Sequence, residues 1–439
     1  MLDFLKTNAQ LVIMLLVWVF CGIINQFFAV GVVTVCVLLM KQKGMYKEMM
    51  IGFLFILIMG DNRQSEALYA ATAKNIYIVL LALFYFLDRK SFNFRNDYFK
   101  PFIPFFIFAF FALSQAPMIN FNNSAMKTLS YVLLLSVVPA LFIKCFRLYG
   151  PQFLKDVIYF YGCIFLTGVL LIPVMPDMVF LVGRYSGIYG NPNGIGIAST
   201  VLFLLIFITN KKFPGLLSAN DQRLMYLLIV LAILLSVSRN TMVSLMIFLL
   251  FARFYEMSML AGFVILLVAI MAYELINNNI VQIVNALGLG KYLRAEAIED
   301  GSGRALAWHV AWKEIQTKFY MGAGFAFDEW FFYENRHWLM QKGHQGGVHN
   351  SWLAMWMNTG VIGLLLFVIG LLRSFAKAIS RSPLSLPIMF AVLFSASFEA
   401  WLMGSLNPFH VVFVLLMTVI LNDDQFSEEQ EKTSIVPVS

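Results

Sequence analysis

The stretch Gly346-Gly347-Val348-His349-Asn350-Ser351 closes a polar segment that begins near residue 276 and opens an apolar run that continues to Leu371. This change of character decides the fold. Upstream of 276 the chain is a succession of apolar runs of near-membrane length, and from 350 such runs resume. They fall at roughly 9–24, 27–40, 48–60, 70–87, 101–115, 128–146, 156–175, 193–210, 224–237, 240–254, 258–275, 350–371, 384–402 and 408–422. Several are shorter than the ~20 residues that cross a bilayer comfortably. The first two could also form one re-entrant hairpin, so the expectation is about 12–14 spans. Strand-like alternation is missing from these runs, and open sheet edges cannot face lipid, so the spans are helices. The expected class is an all-α polytopic membrane protein. Its parts are an N-terminal transmembrane bundle over 1–275, a large outer loop over 276–349, C-terminal transmembrane helices over 350–422 and a disordered tail over 423–439.

Composition agrees. The chain has 439 residues, 60% hydrophobic and 13% charged, with a mean hydropathy of +0.79. A soluble protein of this length would carry far more charge. The net charge of +7 needs no nucleic-acid partner, because Lys and Arg collect in the cytoplasmic loops of multi-span proteins. The four cysteines, Cys21, Cys36, Cys145 and Cys163, lie in or beside apolar runs, so no disulfide framework is expected in the loop. Met1 to Lys6 leads into an apolar run without a small-residue cleavage site and reads as an uncleaved first helix.

Charge orients the spans. With fourteen spans and a cytoplasmic N-terminus, the inner segments hold Lys6, Lys41, Lys43, Lys47, Arg89, Lys90, Arg95, Lys100, Lys144, Arg147, Lys155, Lys211, Lys212, Arg223, Arg253, Arg373, Lys377, Arg381 and Lys432. The short outer segments hold Arg63, Lys74, Lys127, Arg184 and Arg239. This positive-inside bias puts both termini in the cytoplasm and the 276–349 loop outside. Within the loop, Trp308, Trp312, Ile315 and Phe319 recur at helical spacing, which predicts an amphipathic helix lying on the membrane. Ser302 is its expected N-cap, and Met321-Gly322-Ala323-Gly324-Phe325 ends it.

Outer arginines oppose the charge bias and need a reason. Arg184 precedes Tyr189-Gly190-Asn191-Pro192-Asn193-Gly194, Arg239 sits in a tight outer turn, and Arg304 opens the amphipathic helix. All three fall on the side of His349, as does Glu399 near the outer end of its span. Several arginines and one histidine at a membrane surface suit a diphosphate ligand, which guanidinium groups bind bidentately. The helix beginning near Asn350 adds free backbone N–H groups, and a neutral His349 can accept a proton as general base.

Each residue also has a structural reading. Arg239 could cap a hairpin or snorkel to the headgroups, Arg184 could be an ordinary loop cation, and Arg304 a solvated helix-start residue. Glu399 could pair with a neighbouring helix for structure alone. His349 could be a helix-start polar residue. Asn191-Pro192-Asn193-Gly194 could be a simple turn into a helix or could offer its amides to a sugar. His337, His344 and His349 match no metal-ligand spacing, so no metal site is expected.

Taken together, the motifs resemble the O-antigen ligase and polymerase family of bacterial membrane glycosyltransferases. The resemblance rests on Arg184 to Gly194, on Ser238-Arg239, on Arg304 with Trp308 and Gly322-Ala323-Gly324, and on His349-Asn350 followed by Gly360. His349 and Gly360 are spaced as in the family's His-x10-Gly motif. Arg239 is placed as in its Arg-x3-Leu motif, with Val243 where Leu is expected.

The resemblance implies a GT-C-like membrane enzyme in the bacterial inner membrane with a periplasmic active site. The donor is a glycan on undecaprenyl diphosphate, and the acceptor is lipid A–core or a second lipid-linked glycan. A chain-length regulator is a further implied partner, and neither cofactor nor catalytic metal is implied. His349 would be the catalytic base. Arg239, Arg304 and Arg184 would bind the diphosphate, and Asn191, Asn193, Asn350 and Glu399 would contact sugar or acceptor. The alternatives are a lipid-linked sugar flippase, against which the missing internal repeat argues, and a SEDS-type cell-wall glycosyltransferase, against which His349–Gly360 argues.

Overall fold

The computed structural model describes residues 1–88, 98–116, 121–255, 304–344 and 346–422, with the single positions 264, 268 and 286. The run expected at 258–275 (but for 264 and 268), the Ser302 cap and the tail 423–439 lie outside the described residues.

The other expected runs are helical. In chain order the helices are α1 (Leu2–Thr7), α2 (Ala9–Ile24), α3 (Gln26–Gln42), α4 (Tyr46–Asp61), α5 (Leu68–Leu87), α6 (Ile103–Ala112), α7 (Phe121–Tyr149), α8 (Gln152–Leu170) and α9 (Pro176–Val179). Then come α10 (Pro192–Lys212), α11 (Ala219–Ser236), α12 (Arg239–Tyr255), α13 (Arg304–Thr317), α14 (Phe327–Glu334), α15 (Arg336–Gln341), α16 (Ser351–Arg381), α17 (Ser385–Phe398) and α18 (Pro408–Leu421). Among the described residues, strand is confined to the antiparallel pair β1 (Phe180–Leu181) and β2 (Arg184–Tyr185), with Leu181 opposite Arg184. Among the described residues, six helical segments are long and apolar enough to cross a membrane, and five more apolar ones are shorter. The protein is therefore an all-α multi-pass membrane protein.

Polar side chains set where the apolar helices begin. Asn25 is extended and accepts from the Phe27 and Phe28 amides, which separates α2 from α3. Asn191 and Asn407 each cap a helix that has proline at its first position, where the missing N–H costs nothing. Ser218 caps α11 through the Asp221 amide. All four cysteines are free thiols.

The chain packs as two compact units. One comprises Met1–Lys100, Ser130–Met242 and Ser405–Ser439, the other Pro101–Leu129 and Val243–Gly404. In the first unit, α4 is buried from Met49 to Met59 and α18 along its whole length, as expected of helices ringed by others. At one end of this unit, Lys41 and Lys144 both pair with Asp88, and Lys47 pairs with Asp156 at 2.8 Å. At the opposite helix ends, Gly190 N–H donates to Asp61 and the Asn62 amide donates to the Ile188 carbonyl.

The second unit contains one break that matters for the site. α16 runs from Ser351 to Arg381 but is non-helical at Gly360, where φ is 66° and ψ is −178°. The break leaves backbone groups without intrahelical partners, and such groups are costly in an apolar setting. A strap over 319–324 satisfies them. Ala323 and Gly324 donate to the Met357 and Asn358 carbonyls at 3.0 and 2.8 Å, while Val361 and Ile362 donate back to Phe319 and Tyr320 at 2.9 and 3.3 Å. The strap lies so close that a Cβ on Gly360 would run into the Tyr320 carbonyl. Asp328 then locks α14 to the same place: its amide donates to Asn358 Oδ1 at 3.0 Å and its carboxylate accepts from Asn358 Nδ2 at 2.9 Å.

The expected loop helix forms as α13, and the face it packs inward adds two alanines to Ile315. Ala307, Ala311 and Ile315 are buried, whereas Trp312 is 40% exposed and Phe319 lies beyond the helix. Small residues let α13 approach its neighbours closely, and the tryptophans flank the contact. Trp308 spends its indole N–H on the Val348 carbonyl, and Trp312 meets Trp356 edge-on.

Candidate active site

In the second unit three segments converge on His349: the start of α13, the loop 346–350 and the end of α17. His349 itself has φ of +48°. That left-handed conformation is uncommon for a residue with a side chain and persists where surrounding contacts enforce it. Those contacts are visible. The residue before is held by Trp308. The residue after, Asn350, caps α16 by accepting from the Trp352 and Leu353 amides at 2.9 and 3.0 Å, and its amide nitrogen donates to the Ser397 carbonyl. Ser351 Oγ donates to the Glu399 carbonyl at 2.7 Å, and the Trp352 indole donates to Ser397 Oγ.

The ring of His349 is therefore presented by a fixed backbone. Its Nδ1 lies 3.0 Å from Glu399 Oε2, and its plane stands edge-on to the buried His344 ring. Its Nε2 faces Gly346, where a Cβ would lie 2.8 Å from the nitrogen. A side chain there would crowd the free edge of the imidazole; glycine leaves it open. The second oxygen of Glu399, Oε1, accepts from the Arg304 guanidinium at 2.8 Å, and that guanidinium also lies over the Phe398 ring.

One carboxylate thus bridges an imidazole and a guanidinium. Glu399 is buried, and the hydrogen-bond donors on its two oxygens, the Arg304 guanidinium above all, favour its ionised form. The side chains of His349 and Arg304 stay partly open, at 27% and 23% exposure, against 9% for Glu399. A reacting group can therefore reach the two outer members while the carboxylate between them is shielded.

The first unit places the remaining candidates. Arg184 Nε donates to the Ser236 carbonyl at 2.8 Å, and its Nη2 donates to Asn193 Oδ1 at 3.0 Å and toward the Val237 carbonyl. Arg184 thus caps the C-terminal end of α11, where Val237 takes a left-handed conformation, and ties that turn to the Asn-Pro-Asn segment. Arg239 follows as the first residue of α12, flanked by a mutual hydrogen bond between Ser238 and Thr241 at 2.9 Å. Asn191 uses its side-chain oxygen on the Gly194 amide at 2.7 Å.

The sequence candidates therefore form two groups, His349–Glu399–Arg304 with Asn350, and Arg184–Asn193 with the turn leading to Arg239. Sequence reading placed each residue but missed the shared carboxylate, since Glu399 lies 50 positions from His349 and nothing in its local pattern marks the pairing. It also missed Asp328–Asn358 and Ser397. Among the described residues no cluster of His, Cys, Asp and Glu is arranged to hold a metal ion.

Residues 224–368 match the family model described as O-Antigen ligase. The matched segment includes Arg239, Arg304, His349 and Gly360. A comparison with curated proteins gives no match.

Proposed function

From a chain that carries the O-antigen ligase family's domain over residues 224–368, we propose a glycan transferase that uses a polyprenyl-diphosphate donor. The donor is a glycan on undecaprenyl diphosphate, presented at the periplasmic face of the bacterial inner membrane. The acceptor is a hydroxyl of lipid A–core or of a second lipid-linked glycan.

His349 is the general base. Its Nδ1 is engaged by Glu399, so Nε2, which has only glycine beside it at position 346, is the atom that takes the acceptor proton. The deprotonating oxygen attacks the anomeric carbon of the donor sugar. The bond from that carbon to the diphosphate oxygen breaks, and undecaprenyl diphosphate leaves with the bonding pair. A leaving group that carries its own charge is helped by fixed cations, the role given to Arg239 and Arg304. Arg184 serves this group by holding the turn before Arg239.

The observation that carries this reading is a partly exposed imidazole whose Nδ1 is held by a buried carboxylate that also holds an arginine. The test is His349→Ala in reconstituted protein supplied with lipid-linked donor and acceptor, with product size read on a gel. Product is expected to vanish while membrane abundance and folding stay as in the parent. Arg239→Lys is expected to lose most activity as well, since a point charge does not replace a guanidinium fork. Wild-type product from His349→Ala would remove His349 from catalysis. Running the assay with and without lipid A–core separates ligase from polymerase.

A further inference from the structure

Glu399 was expected at the sugar or acceptor, yet its two carboxylate oxygens are both committed to protein groups, Oε2 to His349 Nδ1 at 3.0 Å and Oε1 to Arg304 at 2.8 Å. The geometry points to a different role: we infer that Glu399 is a positioning residue that fixes the tautomer of His349 and, with the same carboxylate, the placement of Arg304. This inference rests on the proposed reaction but concerns a group that touches neither substrate.

The chemistry follows from what each atom can do. An ionised carboxylate only accepts hydrogen bonds. A neutral imidazole facing it must therefore carry its proton on Nδ1, which leaves the Nε2 lone pair free to take a proton. Arg304 can only donate, so it suits the second oxygen. The bridge also sets the distance between the proton-accepting atom and the guanidinium, because both hang on one planar group. That group is itself held: the Glu399 backbone carbonyl accepts from Ser351 Oγ, one residue beyond the cap of the helix that His349 precedes.

Glutamine at this position keeps the shape but cannot serve both partners. If its amide oxygen accepts from Arg304, its NH2 faces Nδ1 and favours the ring with the proton on Nε2, the atom that should accept one. If it turns over, its NH2 faces the guanidinium, donor against donor. In the Ser-His-Asp triad, the comparable exchange of carboxylate for amide costs about 10⁴-fold in turnover through the wrong tautomer.

The experiment has two readouts on the full-length protein in detergent or proteoliposomes. The first is turnover with lipid-linked donor and acceptor. The second is the rate at which diethyl pyrocarbonate modifies His349, followed by peptide mass spectrometry, with His309 and His337 as internal controls. Glu399→Gln is expected to lower kcat by at least two orders of magnitude, with donor KM changed less, and to slow His349 modification several-fold while the controls react as before. Glu399→Asp keeps the charge but is one methylene short of spanning both donors. It is expected to retain His349 reactivity and recover part of the turnover, so it tests the bridge even if the glutamine variant folds poorly. Wild-type turnover in either variant, or a loss of turnover in Glu399→Gln with His349 modified at the parent rate, overturns the inference. Slowed modification in a protein that transfers no glycan even as wild type would support the Glu399 role and defeat the proposed reaction instead.

Discussion

Asp328 ties α14 to the break in α16, and its ionisation bears on how firmly that tie holds. Burial pushes its carboxyl up to about 6, with the adjacent Glu329 adding to the rise and the Asn358 amide opposing it. A group raised in the folded state stabilises fully below the usual carboxylate range, and that contribution is lost as pH rises through the folded value. Here the window runs from about pH 4 to about pH 6. Asp328→Asn keeps an oxygen for Asn358 Nδ2 and removes the titration. The variant is therefore expected to be more stable than the parent at neutral pH by on the order of 1–3 kcal/mol, with the difference shrinking toward pH 4. Thermal unfolding of the detergent-solubilised pair across that range measures it, and parallel pH profiles would contradict the assignment. This residue was not legible in the sequence, because an Asp-Glu pair in a polar loop reads as solvated until the fold buries one of them.

Among the elements, α16 carries the clearest consequence. His349 precedes its first turn, and Gly360 breaks it nine residues into the helix, roughly 13 Å along the axis. The spacing of His349 and Gly360 thus has a physical meaning: one residue presents the imidazole, and the other lets the loop strap dock close enough to brace the segment between them. Gly360→Ala places a Cβ in the path of the Tyr320 carbonyl at a positive φ. It is expected to cost more than ~2 kcal/mol of stability, read as a lowered melting temperature. Loss of transfer in step with that change would follow from displacement of the segment that presents His349; an unaltered melting temperature would mean that the strap does not constrain the helix. The existence of α13 was readable from its periodicity. Its buried face was not, because the tryptophans dominate a hydrophobic pattern while Ala307 and Ala311, being small, decide how closely the helix packs.

On the scale of the whole molecule, the spans were legible because lipid imposes length and apolarity on each segment separately. The grouping into two units was not, since it depends on contacts between segments far apart in the chain: the stretch that holds α18 returns to the unit that Met1 begins. Lys41, Lys47 and Lys144, assigned to inner loops by counting, meet Asp88 and Asp156 at one end of the first unit, while Arg184 and the turn before Arg239 occupy opposite helix ends. A transferase and a carrier of lipid-linked sugars differ in what becomes of the donor.

The most direct measurement supplies proteoliposomes containing the protein with undecaprenyl-diphosphate-linked glycan and acceptor, and follows both lipid and glycan. Undecaprenyl diphosphate is expected to be released in step with a new glycosidic bond, and His349→Ala is expected to yield neither. Recovery of the intact donor on the other leaflet with no new bond, or equal release from the His349→Ala protein, would contradict it.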